Sequence, residues 1–459
     1  MADIKLRKYQ EEGVKFILEK KKCIIAMDRG TGKTGTVLSA IERDAEIKKC
    51  SCVCGKKQKD TTWAKHLREW FDLDENDYQI NSSKKDIIED KKYSITTFDM
   101  AKAISLNDWD CIVVDEAHNL KNQKTDRFKV MKRMAKRKDV KYMILMTATP
   151  ILNRPEELFQ LLYLIKHPLA INTLTLPDGT KKEYSRRDWF MKKYCDGRMR
   201  KNPWTGNSFF DSSGAAKPEM LEELKELTKD VIYYVRWDEI PKEEQPPKLT
   251  VDHINITLSQ EQEEKCKKAF DTYFKEVEES GEKSYHELKR IAQTHKLVSQ
   301  LKEKQITSLI KIDKTFELVK KHISQGEKVV CFVEFRETRQ ILLNRLKSEK
   351  IAAILGNTED DLKKFQNGQA DVYITSVKQG GEGIQLQIAN VFIISDPDYT
   401  PSRNEQAEAR CWRIGQTKEV QGYYLHCINS VDDKVKELNE KKKQIISHAV
   451  ERKTNNQSI

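Results

Sequence analysis

Short apolar runs punctuate the first third of the chain: CIIAM at 23–27, SCVCG at 51–55, YSITTF at 93–98, DCIVVDEA at 110–117 and YMILMTATP at 142–150. Between them apolar residues recur at helical spacing. Strands alternating with amphipathic helices predict a parallel sheet covered on both faces. The rhythm returns late, in KVVCFVEF (328–335), IAAILG (351–356), DVYITS (371–376), NVFIISD (390–396) and YYLHCI (423–428). The expected fold class is therefore α/β, with two tandem parallel-sheet lobes. The middle of the chain, about 155 to 310, lacks this rhythm. It carries turn chemistry at Pro177, Asp178 and Gly179, a Gly- and Ser-bearing stretch at 206–214, EQPPK at 244–248, and helical patterns at 259–279 and 284–303.

Composition narrows the partners. The chain has 459 residues, enough for two to three domains with their own cores. Apolar residues make up 38%, as in a globular chain, while charged residues reach 34% and the formal net charge is +11. A charge-dense basic chain suits a polyanion such as nucleic acid. No apolar run approaches the ~18 residues of a membrane span, and MADIKLRKYQ lacks the apolar core of a secretory signal. Several of the ten cysteines lie inside strand-like runs, among them Cys23, Cys111 and Cys331, which predicts reduced, buried thiols in an intracellular protein. CSCVC at 50–54 alternates as one strand face does, and no matching Cys or His pair stands at zinc spacing elsewhere.

Four segments carry chemistry. AMDRGTGKT (26–34) follows an apolar run and precedes the helical pattern TVLSAIERDAEI. A loop so placed exposes backbone N–H groups at a helix N-terminus, a cradle for phosphate. Lys33 would reach the β- and γ-phosphates and the Thr34 hydroxyl would bind Mg²⁺. Asp115-Glu116-Ala117-His118 ends the run CIVV, which brings its carboxylates to the C-terminal sheet edge where α/β ligands bind. There Asp115 would hold Mg²⁺ and Glu116 would activate the attacking water. Thr147-Ala148-Thr149-Pro150 ends another strand and could link the nucleotide site to the other half. Gln406, Arg410 and Arg413, spaced i, i+4, i+7, predict one helix face that meets a triphosphate across a cleft. The run from Lys121 to Lys141 holds ten cations against two acids, and 181–204 mixes cations with aromatics as phosphate tracking requires.

Taken together these segments resemble the Swi/Snf-type DNA-dependent ATPases of helicase superfamily two. LRKYQEEGVKFI (6–17) resembles their adenine-sensing Q motif, AMDRGTGKT motif I, VCGKKQKDTTWAKHL (53–67) motif Ia, ITTFDM (95–100) motif Ib, DEAHNLKN (115–122) motif II and TATPILNRPEELFQLL (147–162) motif III. Residues 374–416 resemble motifs V and VI, ending in the group-specific RxxRIGQ, and VDDKVKELNEKKKQII resembles the helix that braces the two lobes. SSGAAKPEMLEELKELTKDVIYYVRWDEI followed by PPK is similar to the HARP-like annealing helicases. The chain departs from the pattern at Met27-Asp28-Arg29, where the family has Asp-Glu-Met. It also departs at Gly55 for proline, Ala148 for glycine, and Thr400 and Asn404 for Asn and Asp.

The resemblance implies two RecA-like lobes with helical insertions. Lobe one (1–165) would hold motifs Q to III, insertions and linker would occupy 166–310, and lobe two (311–430) would hold motifs IV to VI. A brace helix (431–450) and a disordered tail (451–459) would follow. ATP would be held by Arg7, Gln10, Asp28, Arg29, Gly30, Thr31, Gly32, Lys33, Thr34, Gly381, Glu382, Gly383 and Gln406, and Mg²⁺ by Thr34 and Asp115. Lys33, Asp115, Glu116, Arg410 and Arg413 would be catalytic. DNA would lie on Lys56, Lys57, Trp63, Thr97, Lys121, Lys378 and Gln379. The implied activity is ATP-driven translocation along duplex or branched DNA by a monomer. Targeting would come from a protein partner, in the cytoplasm of a prokaryote or its virus, or in a eukaryotic nucleus. One rival is a DEAH-type helicase unwinding RNA or single-stranded DNA, against which RIGQ and Trp63 argue. The other is an ATP-binding scaffold without turnover, against which the intact catalytic set argues.

Overall fold

In a computed structural model the described residues are 5–449, except 57, 75, 84, 86–90, 106, 152–153, 176–179, 202–207, 212–216, 267–299 and 381–383. The expected tail at 451–459 and most of both helical patterns between 259 and 303 lie outside them; 260–266 and 300–310 are helical. The chain forms two compact units, Met1–Gln245 with Lys442–Ile459, and Pro246–Lys441.

The first unit is built on a seven-stranded parallel sheet. Its strands are β1 (Lys22–Met27), β2 (Cys50–Cys54), β3 (Tyr78–Ile80), β4 (Tyr93–Thr97), β5 (Cys111–Val114), β6 (Tyr142–Met146) and β11 (Ile232–Val235), in the order β11-β1-β6-β5-β2-β4-β3. Helices cover both faces, so the inner strands bury every residue: CSCVC, CIVV and YMILM have no polar face. All ten cysteines are free and buried. On one face the core draws on β1, β5 and β6 and on helices α4 (Asp126–Ala135), α5 (Glu156–Leu164), α6 (Arg187–Tyr194) and α7 (Pro218–Thr228).

The middle of the chain holds more strand than its pattern announces. Two antiparallel hairpins, β7 (Ile171–Thr175) with β8 (Lys181–Ser185) and β9 (Arg198–Lys201) with β10 (Ser208–Asp211), flank α6. Beyond α7, β11 returns to the first sheet beside β1, in register Ile24↔Ile232. Then β12 (Leu249–Ile256) joins the second sheet, so a stretch read as insertion and linker closes an edge of each sheet.

The second unit repeats the architecture. Strands β13 (Val329–Phe332), β14 (Ala353–Leu355), β15 (Val372–Thr375), β16 (Val391–Ile394) and β17 (Val420–Cys427) join β12 in the all-parallel order β12-β17-β16-β13-β15-β14. Apolar clusters lie on both faces of the sheet. Lys311 is fully buried within this unit. Its Nζ lies 2.7 Å from Asp432 and 3.5 Å from Asp396, and donates to Ser395 O at 3.0 Å. Burial alone would pull its ammonium down, but Asp432 and Asp396 outweigh that and hold it above the usual lysine range. The pairing fixes the start of the helix Val431–Ala449 to the end of β16. Among the described residues no helix is long and apolar enough to cross a membrane.

Removing one partner of a buried ion network leaves the other charges uncompensated. Lys311→Met should therefore destabilise the second unit by about 3–5 kcal/mol, read from the denaturant midpoint. A change within about 0.5 kcal/mol, the range of a surface substitution, would show that the network is not needed for packing.

Candidate active site

Strand order assembles the site. Parallel neighbours end at the same edge of a sheet, and the order β11-β1-β6-β5-β2 therefore gathers five chain segments there. After β11 comes Trp237, after β1 the glycine loop, after β6 Thr147, after β5 the acidic pair, and beyond β2 the segment bearing Trp63.

The loop between β1 and helix α2 (Lys33–Arg43) turns on Gly30 and Gly32, with φ of 80° and 86°. Gly32 has a second constraint: a Cβ there would meet Gln10 Nε2 at 2.3 Å. Gln10 and Tyr9, on helix α1 (Lys8–Lys20), press on the loop from outside. Gln10 Nε2 donates to Thr31 O at 3.0 Å and Tyr9 OH to the same oxygen at 3.1 Å. From the other side Trp237 donates its backbone N–H to Asp28 Oδ2 and its Nε1–H to Arg29 O, each at 3.0 Å. The first turn of α2 contains no acidic residue, so its helix dipole and free N–H groups present uncompensated positive potential.

Lys33 folds over this loop, its Nζ donating to Met27 O at 2.7 Å and Asp28 O at 3.0 Å. Burial brings its ammonium down to about 8, with Arg29 pushing the same way and Glu116, Asp115 and Asp28 opposing. Asp115 is buried at the end of β5; burial first, then the charge of Glu116, raises its carboxyl to about 6 against Lys33 and Trp63. Burial would raise Glu116 too, but His118, Arg29 and Lys33 together hold it well below the usual carboxylate range. Glu116 occupies the left-handed region at φ 48°, a strained position for a non-glycine residue. Its Oε2 lies 3.2 Å from His118 Nδ1, which in turn lies 3.3 Å from Thr147 Oγ1. His118 thus links the acidic pair to the Thr147 segment.

Some expected residues stand elsewhere. Trp63, read as a DNA contact, is fully buried, because its indole is drawn inward to donate to Asp115 Oδ2 at 3.2 Å. Both ends of the Gln10 amide are occupied, by Arg7 N–H at 2.9 Å and by Thr31 O, so in this structure it braces the loop. The Asp28 carboxylate faces Trp237, and the Arg7 guanidinium faces Glu244, 3.9 Å from its carboxylate. Asp28 is raised by burial. Lys56 is exposed, Thr97 ends β4 and accepts from Met100 N–H at 3.3 Å, and Lys121 is exposed with Glu157 4.0 Å away. Lys57 and Gly381, Glu382 and Gly383 lie outside the described residues.

In the second unit the helix Pro401–Cys411 carries Gln406 and Arg410, but it stops before Arg413. The expected single face is therefore broken. Trp412 turns extended (φ −98°, ψ 98°), its Nε1–H captured by Pro247 O at 2.7 Å, and Arg413 opens a turn closed by Gln416 N–H onto its carbonyl at 3.0 Å. Arg413 is lowered by burial, and its Nε has no hydrogen-bond partner among the described residues. Lys378 and Gln379 are exposed, and Gln379 Oε1 accepts from Arg339 at 2.8 Å. Sequence reasoning missed Tyr9, Trp237 and the part played by His118. The contacts of Trp237 span more than two hundred residues and leave no local mark, whereas His118 sits in the acidic motif itself.

The family model for the SNF2-related domain matches residues 9–308, and that for the helicase conserved C-terminal domain matches residues 310–415. Chromodomain-helicase-DNA-binding protein 8 of Xenopus tropicalis is 26% identical over 93% of this chain and 21% of its own length. The SWI/SNF-related matrix-associated actin-dependent regulator of chromatin subfamily A-like protein 1 of Drosophila melanogaster is 25% identical over 97% of this chain and 56% of its own. The chain thus spans well under two thirds of either relative. Among solved structures, the Sulfolobus solfataricus SWI2/SNF2 ATPase core in complex with dsDNA aligns with 96% of this chain and 92% of its own, at TM-score 0.44 and 22% identity.

Trp63→Phe deletes the N–H that Asp115 accepts and removes part of a fully buried ring, which adds a cavity cost of its own. A buried carboxylate oxygen left without its donor should cost about 1–3 kcal/mol of stability, measured by denaturant unfolding of the full chain. An unchanged midpoint would mean that neither the indole N–H nor its buried volume supports this core.

Proposed function

The chain belongs to the SNF2-related family, and from that premise we propose that it hydrolyses ATP and uses the cycle to step along duplex DNA. The observation that carries this reading is the gathering of Lys33, Asp115 and Glu116, mutually interacting and at least half-buried, beside a loop bent for phosphate. The triphosphate lies on the N–H groups of residues 30–34 at the positive end of α2. Lys33 exchanges its carbonyl partners for β- and γ-phosphate oxygens, and Arg29 adds a second cation that the family pattern lacks. Thr34 and Asp115 are buried, hard oxygen donors, which fits Mg²⁺, and they would hold it. When bound, that ion neutralises charge on the transferring phosphoryl group. Glu116, positioned beside His118 and next to Asp115, orients the attacking water and accepts its proton. Arg410 and Arg413 stabilise the phosphoryl charge from the second lobe once the lobes close, and bound DNA favours closure.

DNA contact is mainly with the phosphate backbone, through cations such as Lys56, Lys121 and Lys378. The family match offers no support to the DEAH-type alternative. Preference for branched DNA is the finer part of the proposal, resting on the likeness of 212–240 to HARP-like annealing helicases. The protein works as a monomer wherever the cell keeps its DNA, and a partner protein targets it.

Two measurements check the reading. ATP turnover by the full chain should be stimulated most by duplex or forked DNA, less by single strands and least by RNA; stimulation by RNA alone, or by no nucleic acid, would refute it. Arg413→Ala should keep ATP and DNA affinity within a few-fold while DNA-stimulated turnover falls ~10²-fold or more. If turnover too stayed within a few-fold, Arg413 would not act on the phosphoryl group.

A further inference from the structure

The insertion between α5 and α7 is fastened on one side only. The inner face of α6 buries Phe190, Met191 and Tyr194 in the first unit's core, with the Phe190 and Phe159 rings 5.1 Å apart. Its outer face carries Trp189 and Lys192, and the flanking hairpins are solvated on both faces over most of their described residues. Large apolar side chains stand in water here: Leu174 is 48% exposed, Tyr184 40%, Trp189 37% and Met199 62%. A two-stranded hairpin without a covered face is marginal by itself, and exposed apolar groups that cluster point to a partner.

Charge identifies the partner. Residues 171–211 hold nine Lys and Arg against five Asp and Glu. Some are neutralised locally, as Arg187 is by Glu156 at 2.6 Å and Lys193 by Glu223 at 2.6 Å. Lys182, Lys192 and Lys201 have no ion-pair partner among the described residues. Both exposed aromatics are framed by cations: Lys182 Nζ lies 5.4 Å from the centre of the Tyr184 ring, and the Arg186 guanidinium 4.0 Å from that of Trp189. Register places Tyr184 and Lys182 on one face of the β7–β8 hairpin, opposite Asn172 and Leu174. Duplex phosphates need cations alone. Exposed aromatic rings beside cations, with Lys182 and Lys192 free of ion-pair partners among the described residues, suit a strand whose bases are free to stack.

We propose that this insertion is a second nucleic-acid surface that binds single-stranded DNA, stacking unpaired bases on Tyr184 and Trp189 and holding their phosphates with Lys182 and Lys192. It rests on the reading of the protein as a DNA motor and adds a contact with unpaired strand to the backbone contacts of the lobes. The surface would let the motor hold a frayed or displaced strand while the lobes grip duplex.

The test uses the full chain, fluorescent oligothymidylate and a blunt duplex of equal length, with affinity read by anisotropy at fixed salt. The double variant Tyr184→Ala/Trp189→Ala should bind oligothymidylate about 10-fold or more weakly, since each stacked base is worth ~1–3 kcal/mol. Its duplex affinity should stay within 3-fold, and its DNA-free ATP turnover should be unchanged. Tyr184→Phe/Trp189→Phe, which keeps the faces, should bind single strands like the parent. Unchanged oligothymidylate affinity in the alanine variant overturns the proposal, as does equal loss on both DNAs. A parent protein that binds neither DNA would instead defeat the motor reading beneath it.

Discussion

Two cations and two carboxylates must share one partly buried pocket beside the glycine loop. Any of the four, buried alone, would cost several kcal/mol or lose its charge. Together they stabilise one another, and the directions of their titration show how. Lys33 is drawn down by burial and by Arg29, Asp115 is pushed up by burial and by Glu116, and Glu116 is held low by His118, Arg29 and Lys33. Lys33 is parked on two backbone carbonyls and Asp115 on an indole N–H, which are neutral partners that a ligand can replace.

Much of the first unit reads as support for that pocket. The loop can present its N–H groups only while Gly30 and Gly32 remain left-handed. Tyr9 and Gln10 hold it on one side and Trp237 on the other. Trp237 reaches the loop because β11 lies beside β1, so a strand far along the chain is part of the phosphate cradle. His118 ties the strained Glu116 to Thr147 at the end of β6. A change of conformation at the Thr147 segment would therefore be felt at Glu116, the group proposed to activate water.

The glycine loop and the Asp-Glu pair were legible because their chemistry demands adjacent residues at a strand end. The parallel sheets were legible because strands buried on both faces read as unbroken apolar runs. Other features depend on contacts distant in sequence. Trp63 looks like a surface residue in a basic segment, and only the fold turns its indole toward Asp115. An i, i+4, i+7 spacing put Arg413 on a helix, but the capture of Trp412 by Pro247 ends that helix two residues early. β11 and β12 were hidden in a region whose loops and charges masked them: IYYV and LTVDHINI have the β-branched and aromatic residues of strands, but only the pairing with β1 and β17 shows which sheet each joins.

The central claim is that hydrolysis in this pocket drives movement along duplex DNA. Displacement of a third strand from a blunt DNA triplex tests it most directly, because a motor tracking the duplex strips the strand without unwinding the helix beneath. With ATP and Mg²⁺ the full chain should release the third strand at a rate that follows ATP concentration, and with a non-hydrolysable analogue it should release none. ATP hydrolysis that proceeds on the triplex while the third strand stays bound would contradict the account.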